Sequence, residues 1–184
     1  MQPIFSLSAL LACAGAALAA PSSLPSASQN LSIFNKRSDT CLDDADGARL
    51  AAQFADLVGN YTAAKADALL LPDYADYSDG INSLMGRPPG SETFAGREAF
   101  KAAQAGHGGT PMVVSDVVAV TCDAVVWTWT AAFGEAAKSV RGINVVRYVL
   151  GEDGNWWVAR VDMEMNSLVY LEDLGGSWTM PATA

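Results

Sequence analysis

The apolar residues of this chain change their spacing at Pro111, and that change limits the folds that the chain can adopt. Before Pro111, apolar residues recur at intervals of three and four, which is typical of helices that bury one side. After it, apolar and polar residues alternate over four stretches separated by turns, which predicts strands. Helices followed by consecutive strands indicate an α+β domain, with the helices packed on one face of an antiparallel sheet.

Three helices are predicted before the change, over residues 42–59, 62–71 and 96–105. Acidic side chains at the start of the first helix favour the positive end of the helix dipole. Pro72 ends the second helix. Residues 73–82 are acidic and aromatic, and their alternation predicts a short strand followed by a turn.

Four strands are predicted after Pro111, over residues 112–121, 124–133, 139–150 and 156–170. Short connections between them favour an antiparallel meander. Asp153-Gly154 is a strong hairpin signal before the last strand. A two-residue loop and a three-residue loop there would place opposite neighbours beside the last strand, so the loop leaves its inward face undetermined.

The N-terminal region is predicted to lie outside the folded domain. Residues 1–19 contain an apolar stretch followed by a small-x-small pattern, which is typical of a signal peptide. A membrane anchor is the competing interpretation, but the apolar stretch is short for one. Residues 20–37 are predicted to be a disordered propeptide that ends at the dibasic pair Lys36-Arg37, or an uncleaved linker. Residues 38–184 form the predicted domain.

Cysteine and asparagine positions fit an extracellular protein. Once Cys13 leaves with the signal peptide, Cys41 and Cys122 remain as an even pair, which predicts one disulfide in a secreted chain. Asn60 begins an Asn-Tyr-Thr sequon between two predicted helices, where a surface glycan would fit.

The charge balance excludes some partners. The chain has 20 acidic against 11 basic side chains and a formal net charge of -9, which argues against a nucleic-acid partner. One histidine and two remaining cysteines supply too few ligands for structural zinc, so no metal and no cofactor are predicted. After signal removal we expect no membrane partner.

The order of predicted elements, three helices with a short strand after the second and then a long meander, resembles the NTF2-like (SnoaL-like) fold. The segments that carry the resemblance are Cys41-Leu42, Asp76–Asn82, Cys122-Asp123 and Glu164–Ser167. They look like those of secreted fungal NTF2-like proteins. The resemblance implies a cone-shaped fold with a pocket between the concave sheet face and the helices. It also implies that a carboxylate or histidine there moves a proton on an apolar substrate.

Asp76 lies where this fold often places an acid or a base, with Tyr74 and Tyr77 beside it. One hypothesis makes Asp76 a catalytic carboxylate and the two tyrosines ligand contacts. The other makes Asp76 a turn residue that caps backbone amides.

The last predicted strand alternates two kinds of side chain. Glu164 and Asn166 share one face with Asp162, while Val161, Met163 and Met165 share the other. If the polar face points inward, Glu164 is a second catalytic candidate and Asn166 a hydrogen-bond donor. If it points outward, it is the solvated face of the sheet. The apolar face could then pack beneath the helices, or form the contact of a homodimer.

Trp127 and Trp129 share one face of the second predicted strand and could wall a ligand pocket or fill the core. His107 lies between glycines after the third helix and is interpreted as an exposed loop residue.

The sequence therefore predicts a secreted protein that binds a small apolar or aromatic molecule. It would act as a cofactor-independent isomerase, dehydratase or cyclase, or as a non-catalytic carrier or interaction protein.

Overall fold

A computed structural model describes residues 41–106, 109–135 and 137–180. These residues form five helices and six strands. The helices are α1 Asp44–Gly59, α2 Ala63–Leu69, α3 Asp79–Leu84, α4 Arg97–Gln104 and α5 Ser167–Asp173. The strands are β1 Leu70–Tyr77, β2 Glu92–Ala95, β3 Met112–Val120, β4 Ala124–Ala132, β5 Ser139–Leu150 and β6 Trp156–Met165. In this described part of the chain, no helix is both long and apolar enough to cross a membrane.

One curved sheet contains all six strands, in the order β2-β1-β6-β5-β4-β3. The predicted antiparallel meander is confirmed as β3 to β6. β1 joins it beside β6 in parallel, and β2 pairs antiparallel with the outer side of β1. Register shifts in four of the five strand pairs mark irregularities of the kind that bend a sheet. The helices cover the concave side, as the α+β prediction required.

The Cys41–Cys122 disulfide ties the chain to the sheet just before α1 begins, which confirms the predicted pairing. The backbone N–H of Leu42 donates to the carbonyl of Cys122 at 3.0 Å, and Leu42 is fully buried. Asp43 then caps the helix by accepting from the N–H of Asp46 at 2.8 Å. Further along, the inward face of α1 reaches the core, where Phe54 packs edge-on against Trp127.

Two short helices differ from the sequence prediction. The strand predicted over 156–170 was wrong beyond Met165, because Asn166 caps a new helix, α5, by accepting from the N–H of Val169. α3 was not predicted, since residues 73–82 were interpreted as a strand and a turn. Its cap is the Ser78 hydroxyl, which accepts from the N–H of Ile81 at 3.1 Å. Both helices lie where the polypeptide leaves the sheet beside the concave face.

The connection between β5 and β6 lies at residues 151–155, where the predicted strands leave it. Leu150 pairs with Trp156, and the backbone N–H of Gly151 donates to the carbonyl of Asn155 at 2.8 Å, so the turn itself contains the three residues 152–154. Gly154 has a φ of 78° in this loop, a conformation that glycine adopts without strain. A register shift between Arg147 and Tyr148 then places Met163 opposite Asn144 and Val161 opposite Val146. Because Asn144 and Val146 face the buried side of β5, this pairing assigns the inward face of β6 to its apolar residues.

Candidate functional site

A cavity of about 240 Å³ lies between the concave face of the sheet and the helices. Six of the residues that line it are aromatic: Phe54, Phe94, Phe100, Trp129, Phe133 and Tyr170. Eight are aliphatic or thioether side chains: Val58, Ile81, Met85, Ala103, Met112, Val161, Met163 and Met165. Three are polar: Asp76, Gln104 and Asn144. A mostly apolar concave site with a few polar groups is the usual form of a small-molecule site.

Asp76 is buried on the inward face of β1, with 5% of its surface exposed. It lies between Phe94 of β2 and Val161 of β6 in the register of the sheet. Tyr74, two residues earlier on the same face, donates its hydroxyl hydrogen to the Oδ2 atom of Asp76 at 2.5 Å. The Oδ1 atom has no hydrogen-bond partner among the described residues. One oxygen of this carboxylate is therefore held in place and the other is free.

Burial raises the pKa of Asp76 from 3.8 to about 6, against the lowering effect of the Tyr74 hydrogen bond. The nearby carboxylate of Asp162 also raises this pKa. The cause is desolvation, because a charged carboxylate loses its hydration when it is surrounded by apolar groups. Asp76 is thus a stronger base than an ordinary carboxylate, yet it remains largely ionised at pH 7.

Asn144 supplies a hydrogen-bond donor to the same cavity. Its Oδ1 atom accepts from the indole N–H of Trp129 at 2.8 Å. Since an indole N–H can only donate, this bond fixes which end of the amide faces Trp129. The Nδ2 group of Asn144 has no partner within the described part of the chain, although the residue is 1% exposed. Gly142 makes room for this pair, because a Cβ there would lie 2.2 Å from the Trp129 ring.

The cavity shows which face of β6 points inward. Val161, Met163 and Met165 line it, so they are not available as an outward dimer contact. Glu164 projects from the opposite face, where its carboxylate accepts from the backbone N–H groups of Asp79 at 2.7 Å and Gly80 at 3.1 Å. Glu164 therefore caps the N-terminal end of α3. α3 in turn carries Ile81 into the cavity lining.

We expect the Glu164→Gln variant to loosen α3, because an amide can accept at only one of its two ends. The predicted loss is about 1 kcal/mol in the free energy that protects the α3 amides from exchange. Hydrogen exchange of the Asp79–Leu84 amides measures it directly. Glu152→Gln, an exposed glutamate in the loop after β5, is the control and should leave α3 unchanged. Equal protection in both variants would contradict the capping role.

The other predicted ligand residues lie outside the cavity lining. Tyr77 points away from Asp76, where its hydroxyl donates to Glu92 and the Arg160 guanidinium stacks 4.1 Å from its ring centroid. Trp127 is fully buried in the core. Asn166 caps α5. Tyr74 does not line the cavity but holds Asp76. Of the seven predicted catalytic and ligand-binding residues, the cavity brings together Asp76 and Trp129.

The remaining sequence predictions concern residues that do not line the cavity. Asn60 is exposed at the end of α1, where its side-chain amide donates to Asp56 at 2.9 Å. The signal peptide, the propeptide with Lys36-Arg37, and His107 lie outside the described residues. Within the described ranges, no group of three or more His, Cys, Asp or Glu side chains is placed to hold a metal ion.

Asn144 was missed by sequence reasoning, although a signal for it exists. On the inward face of β5 it stands among Val140, Gly142, Val146 and Tyr148. A single amide on an otherwise apolar strand face is costly unless it has partners, so its position marks a specific function. Apart from Trp129, the aromatic residues of the lining gave no such signal, because only the folded topology brings them to one cavity.

Comparisons with known proteins agree with this architecture. Residues 40–177 match the family described as NTF2-like domain. No curated protein matches the chain. IdmH from Streptomyces antibioticus, a candidate polyketide cyclase, is 18% identical over 70% of this chain and 98% of its own, with a TM-score of 0.53. A SnoaL-like protein of unknown function from Burkholderia thailandensis is 14% identical over 68% and 98%, with a TM-score of 0.52. TsrD from Streptomyces laurentii is 22% identical over 73% and 98%, with a TM-score of 0.48.

Proposed function

The chain belongs to the NTF2-like domain family, and from that premise we propose that its cavity binds a small apolar or aromatic molecule on which Asp76 performs proton transfer. The observation that carries the proposal is the buried carboxylate of Asp76, with one oxygen held by Tyr74 and the other free. The reaction class is a cofactor-independent isomerisation or cyclisation. IdmH, a fold relative, is a candidate cyclase, although at 18% identity the likeness extends to the fold alone.

Proton transfer needs a base in the correct ionisation state and an acceptor for the electrons left behind. The Asp76 carboxylate would take a proton from a carbon atom beside a carbonyl group of the ligand. The electron pair of that C–H bond moves into the carbon skeleton, and negative charge develops on the carbonyl oxygen. The Nδ2–H of Asn144 is the donor available to stabilise that oxygen. Returning the proton to another carbon atom completes an isomerisation without any cofactor.

Apolar walls favour this chemistry in two ways. They bind the ligand by removing apolar surface from water, at roughly 25 cal/mol per Å². They also keep the base desolvated, which is what raises the pKa of Asp76 to about 6. A carboxylate with that pKa balances basicity against the ionised fraction near neutral pH.

The test is deuterium exchange of 1-tetralone, an aromatic ketone with enolisable hydrogens, in D2O at neutral pD. We expect the protein to accelerate exchange above the buffer rate. Asp76→Asn should lower that acceleration by about 10²–10⁴-fold, the usual contribution of a general base. Asn144→Leu should lower it by about 10²-fold, the effect of losing one oxyanion donor. Nuclear magnetic resonance spectra of the ketone report the exchange.

Binding is followed separately with N-phenyl-1-naphthylamine, an uncharged fluorescent probe. Asp76→Asn should retain probe binding, and Asp73→Asn, an exposed residue of β1, should match the parent in both assays. Probe binding without accelerated exchange would contradict proton transfer and favour the alternative, a non-catalytic carrier. No probe binding at all would contradict the cavity itself as a ligand site and favour an interaction protein.

We also propose that the protein acts outside the cell, carrying a glycan at Asn60. Support comes from the disulfide, which persists in oxidising compartments, and from the signal-like residues 1–19. Asn60 is exposed, so a glycan there would reach solvent. The intact mass of protein secreted from its native host tests cleavage, the disulfide and the glycan together. Retention of residues 1–19 would overturn this location.

A further inference from the structure

The cavity contains one negative charge and nothing that balances it. Asp76 is the only charged residue among the described residues that line the cavity, and Lys, Arg and His are absent from that set. Tyr74 is a neutral donor and serves Oδ2 alone. A buried carboxylate oxygen without a partner is costly, because it has lost its water and gained no other donor. The site therefore has an unmet requirement for positive charge or for a donor at Oδ1.

Aromatic rings line the same cavity as this charge. Phe94 is the cross-strand neighbour of Asp76, and it packs edge-on against Phe100 with 5.8 Å between ring centroids. Phe133 and Tyr170 form a second edge-on pair, with centroids 4.7 Å apart, in the same lining. Ring faces carry negative electrostatic potential and attract cations, most strongly where water is excluded. A carboxylate among aromatic rings is the combination that recognises an organic ammonium group.

We infer that the cavity is selective for ligands that carry a positively charged nitrogen, namely a hydrophobic amine in its protonated form or a quaternary ammonium. The nitrogen would lie against the free Oδ1 atom of Asp76, with its alkyl groups on the aromatic rings. This inference rests on the proposed function in that both use the same cavity.

Other charge states fit the site less well. An uncharged ligand without a donor leaves Oδ1 unpaired, and an anionic ligand meets a like charge in an apolar cavity. Asn144 adds a second polar point, because its Nδ2 group can only donate and so requires an acceptor atom elsewhere on the ligand. The chain as a whole carries a formal charge of -9, which also favours the approach of cations.

A matched pair of probes isolates the effect of the ligand's charge on binding. Phenyltrimethylammonium and tert-butylbenzene have nearly the same shape and differ in one positive charge. Each would be measured by its displacement of N-phenyl-1-naphthylamine from the full chain, in 0.15 M salt to screen charges outside the cavity. We expect the parent to bind the ammonium compound at least ten-fold more tightly than tert-butylbenzene.

Asp76→Asn keeps the shape of the side chain and removes its charge, so the preference should fall to unity or reverse. Asp73→Asn removes one exposed negative charge from the same strand and should keep the parent's preference. If the parent binds tert-butylbenzene as tightly as the ammonium compound, the inference is overturned while the proposed apolar site stands. A preference that survives in Asp76→Asn also overturns it, because the charge recognised would then lie elsewhere. If the parent binds none of the three compounds, the inference and the proposed site both fall.

Discussion

At pH 8 the Asp76→Asn variant should be more stable than the parent by about 3 kcal/mol. The carboxyl group has a pKa of about 6 in the folded protein and 3.8 as its ordinary value, so the folded chain binds more protons than the unfolded chain between these values. Stability therefore falls as the pH rises through that window. The difference of about 2.2 pKa units, at 1.36 kcal/mol each, gives the expected gain. An amide carries no charge and avoids this cost.

Urea unfolding at pH 8 and at pH 3.5 measures the effect. The gain should nearly disappear at pH 3.5, where Asp76 is protonated in the folded state and largely protonated in the unfolded state. Asp73→Asn, which changes an exposed aspartate, is the control and should show no comparable difference between the two pH values. A variant less stable than the parent at pH 8 would show that the carboxylate is stabilised by its surroundings, and it would remove the argument for an activated base.

Replacing Cys41 and Cys122 together by serine should destabilise the protein by about 4–5 kcal/mol. The disulfide joins residues 81 positions apart, and constraining so long a loop lowers the entropy of the unfolded chain. The bond also holds Leu42, which is fully buried at the start of α1. For a domain of this size the loss corresponds to a fall in Tm of roughly 10–20 °C.

Thermal unfolding of the double variant, monitored by circular dichroism, measures this fall in Tm. The parent treated with a reducing agent should unfold at the same temperature as the double variant, which separates the bond from the cysteine side chains themselves. The residues of α1 that line the cavity, Phe54 and Val58, lie in its second half, away from the disulfide before its start, so N-phenyl-1-naphthylamine should still bind at low temperature. A fall in Tm of only a few degrees would contradict the stabilising role assigned to the bond.

The meander was predictable because each of its strands has a pattern that can be recognised from neighbouring residues alone. The alternation along residues 112–150 and the Asp153-Gly154 turn signal depend on neighbouring residues only. The disulfide was predictable by counting, since Cys41 and Cys122 are an even pair. The α+β class followed from the order of these local signals.

The inward face of β6 was not predictable from its own residues. One face carries polar side chains and the other apolar ones, and the register shift beside Arg147, which pairs Met163 with Asn144, decides which of them points inward. Glu164 caps α3 through a contact that spans 85 residues, which no local pattern reveals. α3 itself begins at a serine cap inside a stretch whose alternation favours a strand.

The candidate site was predictable at two residues: at Asp76 through the resemblance rather than through its neighbours, and at Trp129 as one of two tryptophans that could wall a pocket. Asn144 had a local signal in its apolar strand, yet its role depends on Trp129 across the sheet. Aromatic residues such as Phe54 and Phe133 converge from distant parts of the chain. Sites assembled in this way require the topology before the chemistry can be assigned.

The central claim is that a desolvated carboxylate with one free oxygen faces a ligand cavity. Carbon-13 nuclear magnetic resonance of the Asp76 carboxyl group tests it most directly, titrated without and with N-phenyl-1-naphthylamine and assigned with the Asp76→Asn variant. We expect a midpoint near pH 6 in the free protein, and a shift of the Asp76 signal when the probe enters the cavity. A midpoint near 3.8 with no response to the probe would contradict the claim, because Asp76 would then be a solvated aspartate remote from any ligand.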